Sequence, residues 1–209
     1  MIILYFKNIV VSNMDTTPYK LIIHISGPSG SGKTTLGNQL KQIFGDKIVV
    51  TDLDDLRNEF LSIQSYFTTE RFQEYIYSFI AKQTTPIIFT GINTKQEVLT
   101  NPFKTQECYD LESTYTFCIL INLDVLYKRR FERFFSFSME NKDFIISQMM
   151  SNEEEAMSFL KSDLQKQCSF NETKKIHEFI TQLYLKKKYT FLSYDDLYYK
   201  IYDIIYSLN

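Results

Sequence analysis

Apolar and polar positions along this chain switch repeatedly between two periods, and the switches lay out its elements. Residues 20–26 include Leu21-Ile22-Ile23-His24-Ile25-Ser26, a continuous apolar run of the kind that forms a strand covered on both faces. Past a glycine-rich turn, Leu36, Leu40, Ile43 and Phe44 recur at helical spacing, which predicts a helix over about 33–45 with Gly45-Asp46 as its stop. Lys47-Ile48-Val49-Val50-Thr51 is short and β-branched and predicts a second strand. Helices are predicted over 55–64 and 69–83, the second with Phe72, Tyr75, Ile76, Phe79 and Ile80 on one apolar stripe. Thr85-Pro86 ends that stripe, and Pro86 to Gly91 reads as a third buried strand.

Residues 92–114 are polar and irregular, with Asn101-Pro102 marking a turn. Tyr115 to Asn122 predicts a fourth strand, followed by a helix from near Asp124. Ser151-Asn152-Glu153-Glu154 fits a capping box that opens a helix to about Lys166, and another helix is predicted over 172–186. Tyr189 to Ser193 is a fifth strand and Tyr194 to Leu208 a closing helix. Strands that are continuous apolar runs, alternating with helices, predict an α/β fold: a parallel sheet with helices on both faces. Residues 20–209 are expected to form this domain, with a helical insert at about 126–185, and residues 1–19 an N-terminal extension. Met1 to Val11 is too short to span a bilayer and lacks a basic leader and a small-residue cleavage site. Met14 is a candidate initiator.

The turn between the first strand and first helix is Gly27-Pro28-Ser29-Gly30-Ser31-Gly32-Lys33-Thr34, which reads G-x-x-x-x-G-K-[ST], the phosphate-binding (Walker A) loop. Strand, glycine turn and helix is the context that turns consecutive backbone N–H groups toward one anion, and the helix N-terminus adds partial positive charge there. Gly27, Ser29, Gly30, Ser31, Gly32, Lys33, Thr34 and Thr35 are therefore the expected triphosphate-binding residues. Lys33 is expected to reach the β- and γ-phosphates, and the Thr34 hydroxyl to ligate Mg²⁺.

Composition narrows the choice of acceptor. The 209 residues are 44% hydrophobic and 23% charged, as in an ordinary globular protein, and the formal net charge is −2. That lacks the basic excess usual in proteins that hold long polyanions. Cys108, Cys118 and Cys168 have no metal-ligand spacing and suggest a reducing, cytoplasmic setting without disulfides. His24 and His177 have no partner at ligand spacing and are expected to serve packing or the surface.

The loop at 27–34, the aspartate-rich end of the second strand and an arginine pair after the fourth strand together resemble the P-loop kinases. That group includes the nucleoside monophosphate, shikimate, gluconate, adenylylsulfate and polynucleotide 5′-hydroxyl kinases. The resemblance runs over about residues 20–200 in order of elements. It implies a three-layer P-loop NTPase fold, a five-stranded parallel sheet of order 2-3-1-4-5, a helical lid, and ATP with Mg²⁺ as donor. In an open α/β sheet ligands bind beyond the carboxyl ends of the strands, so Asp52 and Asp54 are expected in the same crevice as Lys33. Asp54 is the candidate base for an acceptor hydroxyl and Asp52 the candidate for the Mg²⁺ water shell. The competing reading of either is an acidic N-cap on the following helix.

Asp54-Asp55-Leu56-Arg57 resembles the Asp-Asp-x-Arg of polynucleotide kinases, and Asp52-x-Asp54 resembles the Asp-x-Asp of shikimate and adenylylsulfate kinases. The resemblance makes Asp55 and Arg57 substrate-binding candidates, Arg57 holding an anionic group of the acceptor. Arg129 and Arg133 share a helix face and resemble the lid arginines that neutralise the transferring phosphoryl group, while Arg130 points elsewhere. Strand three departs from many relatives by ending without an acid, so the metal-orienting duty is expected to pass to Asp52 or to water.

The expected activity is ATP-dependent phosphorylation of a small acceptor, a nucleoside or nucleotide. A polynucleotide 5′-hydroxyl kinase and an NTP-binding regulatory module without transfer are the alternatives. A nucleic-acid partner is less favoured, no membrane partner is expected, and the chain is expected to act as a monomer or homodimer.

Overall fold

A computed structural model describes residues 20–64, 68–93, 111–140 and 168–208, with a few positions between 154 and 162. The helix expected over 151–166 falls for the most part outside the described residues, as does the N-terminal extension.

Five strands form one parallel sheet: β1 (Ile22–Ser26), β2 (Val49–Asp52), β3 (Ile87–Thr90), β4 (Tyr115–Ile119) and β5 (Thr190–Leu192). Their order is β2-β3-β1-β4-β5, as the family resemblance implies. This is a P-loop NTPase fold. Every residue of β1 is buried, because β1 lies between β3 and β4 and both of its faces are covered.

The two-residue period of the strands sorts side chains between the layers. Ile23 and Ile25 of β1, with Phe117 and Ile119 of β4, meet Leu36, Leu40 and Phe44 of α1 (Lys33–Phe44) and Leu197, Ile201 and Ile205 of α6 (Tyr194–Tyr206). On the other face, Ile22, Ile87 and Phe89 meet α2 (Leu53–Ile63) and α3 (Thr69–Lys82) through Leu53, Leu56, Phe60, Phe72 and Ile76. Between them come α4 (Leu123–Glu140) and α5 (Phe170–Lys186). Ile180, Leu183 and Tyr184 of α5 pack with Cys118 of β4. Fully burying each such side chain contributes about 1.5–3 kcal/mol. Of the segment expected as a lid, the two described ends are thus α4 and α5, with α5 anchored on the sheet.

Two helices begin two residues earlier than their periodicity suggests: α5, which Ser169 caps, and α2. The sequence predicts α2 from residue 55, yet it starts at Leu53, because the Asp52 carboxylate accepts from the Asp54 N–H at 2.9 Å and caps it. Asp54 and Asp55 therefore stand on the first helical turn. Inside α1, Gly37 lies against the sheet: a Cβ there would lie 2.8 Å from Val50 Cγ1 and 3.1 Å from Thr90 Cγ2. The missing side chain lets α1 press down on β2 and β3 and so fixes the height of the loop that precedes it.

Candidate functional site

The sheet order reverses direction at β1, and the crevice this opens beyond the strand's carboxyl end is where residues 27–32 turn back into α1. Gly27, Gly30 and Gly32 adopt φ of 144°, 93° and 99°, values that a side chain would strain. At Gly32 the requirement is also steric, since a Cβ would lie 3.0 Å from Tyr194 Cε2. Gly32 caps α1 without a side-chain bond, whereas Asp52, Thr68, Ser169 and Ser193 cap α2, α3, α5 and α6 with theirs. The first turn of α1 consequently keeps its amide dipoles for a ligand.

Above this turn lies a cleft of about 440 Å³ lined by Gly30, Gly32, Lys33, Thr34, Thr35, Arg129, Arg133 and Tyr194. Its charged lining is entirely cationic. Lys33 Nζ donates to the carbonyls of Gly27 at 2.9 Å and Pro28 at 3.0 Å, holding the loop closed across itself. Desolvation pushes the Lys33 ammonium down to about 8, with Asp52 acting in the opposite sense. Arg133 Nη1 donates to Ser29 Oγ at 3.3 Å, which ties α4 to the loop. Ser31 is buried, and its Oγ is among the buried polar atoms without a hydrogen-bond partner.

A second cleft of about 310 Å³ adjoins the first, lined by Ser29, Lys33, Thr34, Asp52, Asp54, Asp55, Gly91, Ile92 and Arg133. The two share Lys33, Thr34 and Arg133. One side is therefore cationic and shaped around the glycine loop, the other carries three carboxylates, and a lysine, a threonine and an arginine form the seam.

Asp52 is the hub of the acidic side. Its Oδ2 accepts from Thr34 Oγ1 at 3.1 Å and from Thr90 Oγ1 at 2.8 Å, while its Oδ1 caps α2. The N-cap reading of Asp52 is realised, and the other oxygen of the same carboxylate bonds the Thr34 hydroxyl. Asp52 pairs in register with Thr90 across β2 and β3, so the hydroxyl that ends strand three buttresses the carboxylate that ends strand two. Asp54 is exposed and accepts from Arg57 Nη1 at 2.7 Å. Arg57 is thus turned onto Asp54, and it is not among the residues lining either cleft.

Among the described residues no group of three or more His, Cys, Asp or Glu gathers to hold a metal by itself. A hydroxyl and one carboxylate oxygen at 3.1 Å suit Mg²⁺, which takes few protein ligands and completes its octahedron with phosphate oxygens and water.

Sequence reasoning overlooked three participants. Thr90 and Tyr194 are two. The third is Arg130, which is 6% exposed, with its guanidinium 5.6 Å from the Phe134 ring centroid and its Cγ 3.4 Å from where a Gly30 Cβ would stand. It backs the loop from below, which helical spacing alone places no further than off the Arg129–Arg133 face.

His24, expected as packing, does more than fill space. Nδ1 lies 2.6 Å from Tyr189 Oη and Nε2 lies 3.1 Å from the Gly91 carbonyl. A carbonyl only accepts, so Nε2 carries the proton and Tyr189 donates to Nδ1. Burial drives the imidazole down to about 3 and keeps it neutral. His177 Nε2 lies 3.1 Å from the Ile121 carbonyl, away from both clefts. Cys118 and Cys168 are buried.

No family model matches the sequence, and no curated protein sequence matches it either. Solved structures do. The tRNA isopentenylpyrophosphate transferase of Bacillus halodurans is 12% identical, with 90% of this chain and 96% of that chain covered and a TM-score of 0.54. A shikimate kinase of Acinetobacter baumannii is 15% identical, with 91% and 95% covered and a TM-score of 0.39, too low to add to the argument. The likeness concerns the fold: this chain has the P-loop NTPase architecture. No helix among the described residues is long and apolar enough to cross a membrane.

Proposed function

We propose that this P-loop chain is an ATP-dependent kinase that transfers the γ-phosphoryl group to a hydroxyl of a small, uncharged acceptor such as a nucleoside. The observation that carries the reading is the pair of adjoining clefts with opposite charge, meeting at Lys33, Thr34 and Arg133. A triphosphate suits the cationic side, where loop amides and the α1 N-terminus are pre-aimed and cost no reorganisation during transfer. Lys33, Arg129 and Arg133 then counter the charge that builds on the equatorial oxygens of the migrating phosphoryl group. Asp54, on the acidic side, accepts the proton of the attacking hydroxyl, and its contact with Arg57 orients the carboxylate for that task. Thr34 and Asp52 would hold Mg²⁺, which when bound neutralises β- and γ-phosphate charge.

The carboxylates Asp52, Asp54 and Asp55 outnumber the cations of the acceptor cleft, which repels an anionic acceptor. This favours a nucleoside over a nucleotide and disfavours a polynucleotide strand, which would need a basic groove leading to Asp54. It also disfavours a purely regulatory nucleotide switch, for which carboxylates facing the seam would serve no purpose. The test is a screen with γ-labelled ATP against nucleosides, nucleotides, small polyol acids and 5′-hydroxyl oligonucleotides. Label is expected on a neutral acceptor. Label on oligonucleotides alone would replace this reading with the polynucleotide one.

A further inference from the structure

The face of β1 that points away from α1 carries Ile22 and then, two residues on, His24, which is fully buried. Tyr184 of α5 is fully buried as well, and Asn93 is buried beside it. Apolar side chains of similar size would fill this space at lower cost, since every buried polar group must find a partner. The partners found here share one address, the segment Gly91–Asn93 that leaves β3. Gly91 and Ile92 line the cleft assigned to the acceptor.

That segment departs from strand geometry at Gly91, whose φ is 121°. The Gly91 N–H donates to the Ile25 carbonyl at 3.2 Å, and the Gly91 carbonyl lies 3.1 Å from His24 Nε2 and accepts its proton. The Tyr189 hydroxyl, 2.6 Å from Nδ1, selects the tautomer that can make this bond. Two residues further, Tyr184 Oη accepts from the Asn93 N–H at 3.2 Å and donates to Asn93 Oδ1 at 2.9 Å. Gly91 is thus gripped from β1 and Asn93 from α5.

The grip is itself braced. α5 ends in a left-handed turn at Lys188, φ 59°, where the Lys188 N–H donates to the Leu185 carbonyl and the Tyr189 N–H to that of Tyr184, each at 3.0 Å. This closure brings the Tyr184 and Tyr189 rings to 4.6 Å between centroids, and the His24 ring meets Tyr189 edge-on at 5.5 Å. On its other side the wall runs close against the start of α2. A Cβ on Gly91 would lie 3.1 Å from Leu53 Cβ and 3.2 Å from Asp52 Oδ1. Any movement of the wall therefore changes the width of the cleft between Gly91 and the aspartates.

We infer that His24 and Tyr184 are positioning residues for the acceptor: they hold the Gly91–Asn93 wall where it presses an acceptor hydroxyl toward Asp54. Neither side chain lines the two clefts. Both backbone groups of Gly91 are engaged, so at this residue the wall meets the acceptor through shape. This role rests on the kinase reading and its assignment of the cleft to the acceptor.

The probe is whichever of adenosine, guanosine, cytidine and thymidine the wild-type chain labels fastest from γ-labelled ATP. Initial rates give its KM and kcat, and calorimetry gives the affinity of the same protein for ATP with Mg²⁺. His24→Leu keeps the bulk and removes both ring bonds. It is expected to raise the nucleoside KM about tenfold or more, the scale on which a slight misplacement tells. Its kcat should stay within about threefold of wild type, because the wall supplies binding and not chemistry. ATP affinity should stay within about twofold, which also reports a folded loop. Tyr184→Phe keeps the ring and should move KM in the same direction. His24→Gln supplies a donor for Gly91 and an acceptor for Tyr189, and should bring KM back to within about threefold of wild type. An unchanged KM in both His24→Leu and Tyr184→Phe overturns the positioning role and leaves the kinase reading standing. Loss of ATP affinity in step with the rise in KM, or a KM in His24→Gln as high as in His24→Leu, makes both side chains general supports of the fold and overturns the role as well. No label on any of the four nucleosides with the wild-type chain overturns the assignment of the acceptor cleft and this role with it.

Discussion

Thr34 and Asp52 are joined by a 3.1 Å hydrogen bond from the threonine hydroxyl to the carboxylate, which links the first turn of α1 to the end of β2. Thr90 donates to the same oxygen at 2.8 Å, so the carboxylate is held from two sides before any ligand arrives. Asp52→Asn keeps an oxygen to cap α2 and removes the charge. It is expected to lower ATP affinity in the presence of Mg²⁺ about 10- to 100-fold, the scale for losing a group that holds or orients a metal's ligands. ATP affinity in EDTA should change little. Titrations with and without Mg²⁺ read both values, and an equal loss in the two conditions would assign Asp52 to folding alone.

The lowered Lys33 ammonium gives nucleotide binding a pH dependence of predictable sign. Burial pushes the free group down to about 8, and a bound triphosphate favours the charged form. Above pH 8 the empty site has lost the proton that the occupied site needs, so binding must take one up. Affinity should fall with rising pH above 8, by at most about tenfold per unit, because one proton is involved. Calorimetry at pH 9 in two buffers of different ionisation enthalpy should show the uptake. Lys33→Met should abolish both the uptake and the slope.

His24 ties stability to pH at the other end of the scale. Its folded value, about 3, lies below the ordinary 6.5 because burial disfavours the imidazolium. Between those values the unfolded chain binds the extra proton, so stability is complete above about pH 6.5 and declines as the pH falls toward 3. The contribution of this one group approaches about 1.4 kcal/mol per pH unit in that window. Urea denaturation at pH 7 and pH 5 should show the loss, and His24→Gln should flatten the difference between the two.

Gly37→Ala opposes two effects of known size. The change favours an isolated helix by about 1 kcal/mol. Here the added carbon would meet Val50 Cγ1 at 2.8 Å, and overpacking of that kind costs about 1–3 kcal/mol. The collision is expected to win, giving a lower midpoint in thermal unfolding and a weakened nucleotide site, because α1 and its loop must lift together.

The order of strands and helices was legible because each buried strand is a continuous apolar run and each helix shows its stripe. The glycine turn into α1 was legible because its pattern is local to eight consecutive positions. What escaped depends on reach across the sheet. Thr90 matters through its register with Asp52, and Tyr194 through closure of α6 onto α1, with Gln39 lying 155 residues away in sequence. The two-residue extension of α2 reflects where one carboxylate folds back, which periodicity does not encode. Arg57 shows the opposite case. Its three-residue spacing from Asp54 permits the ion pair observed, while the family motif directed attention to the acceptor instead.

The most direct measurement of the account is single-turnover transfer of the γ-phosphoryl group by Asp54→Asn beside the wild-type chain, with ATP affinity determined in parallel. Phosphoryl transfer to a hydroxyl is expected to slow by about two to four orders of magnitude, the scale of losing a general base, while ATP still binds with nearly wild-type affinity. Transfer at the wild-type rate by the variant would contradict the assignment of the acidic cleft as the place where the acceptor is activated.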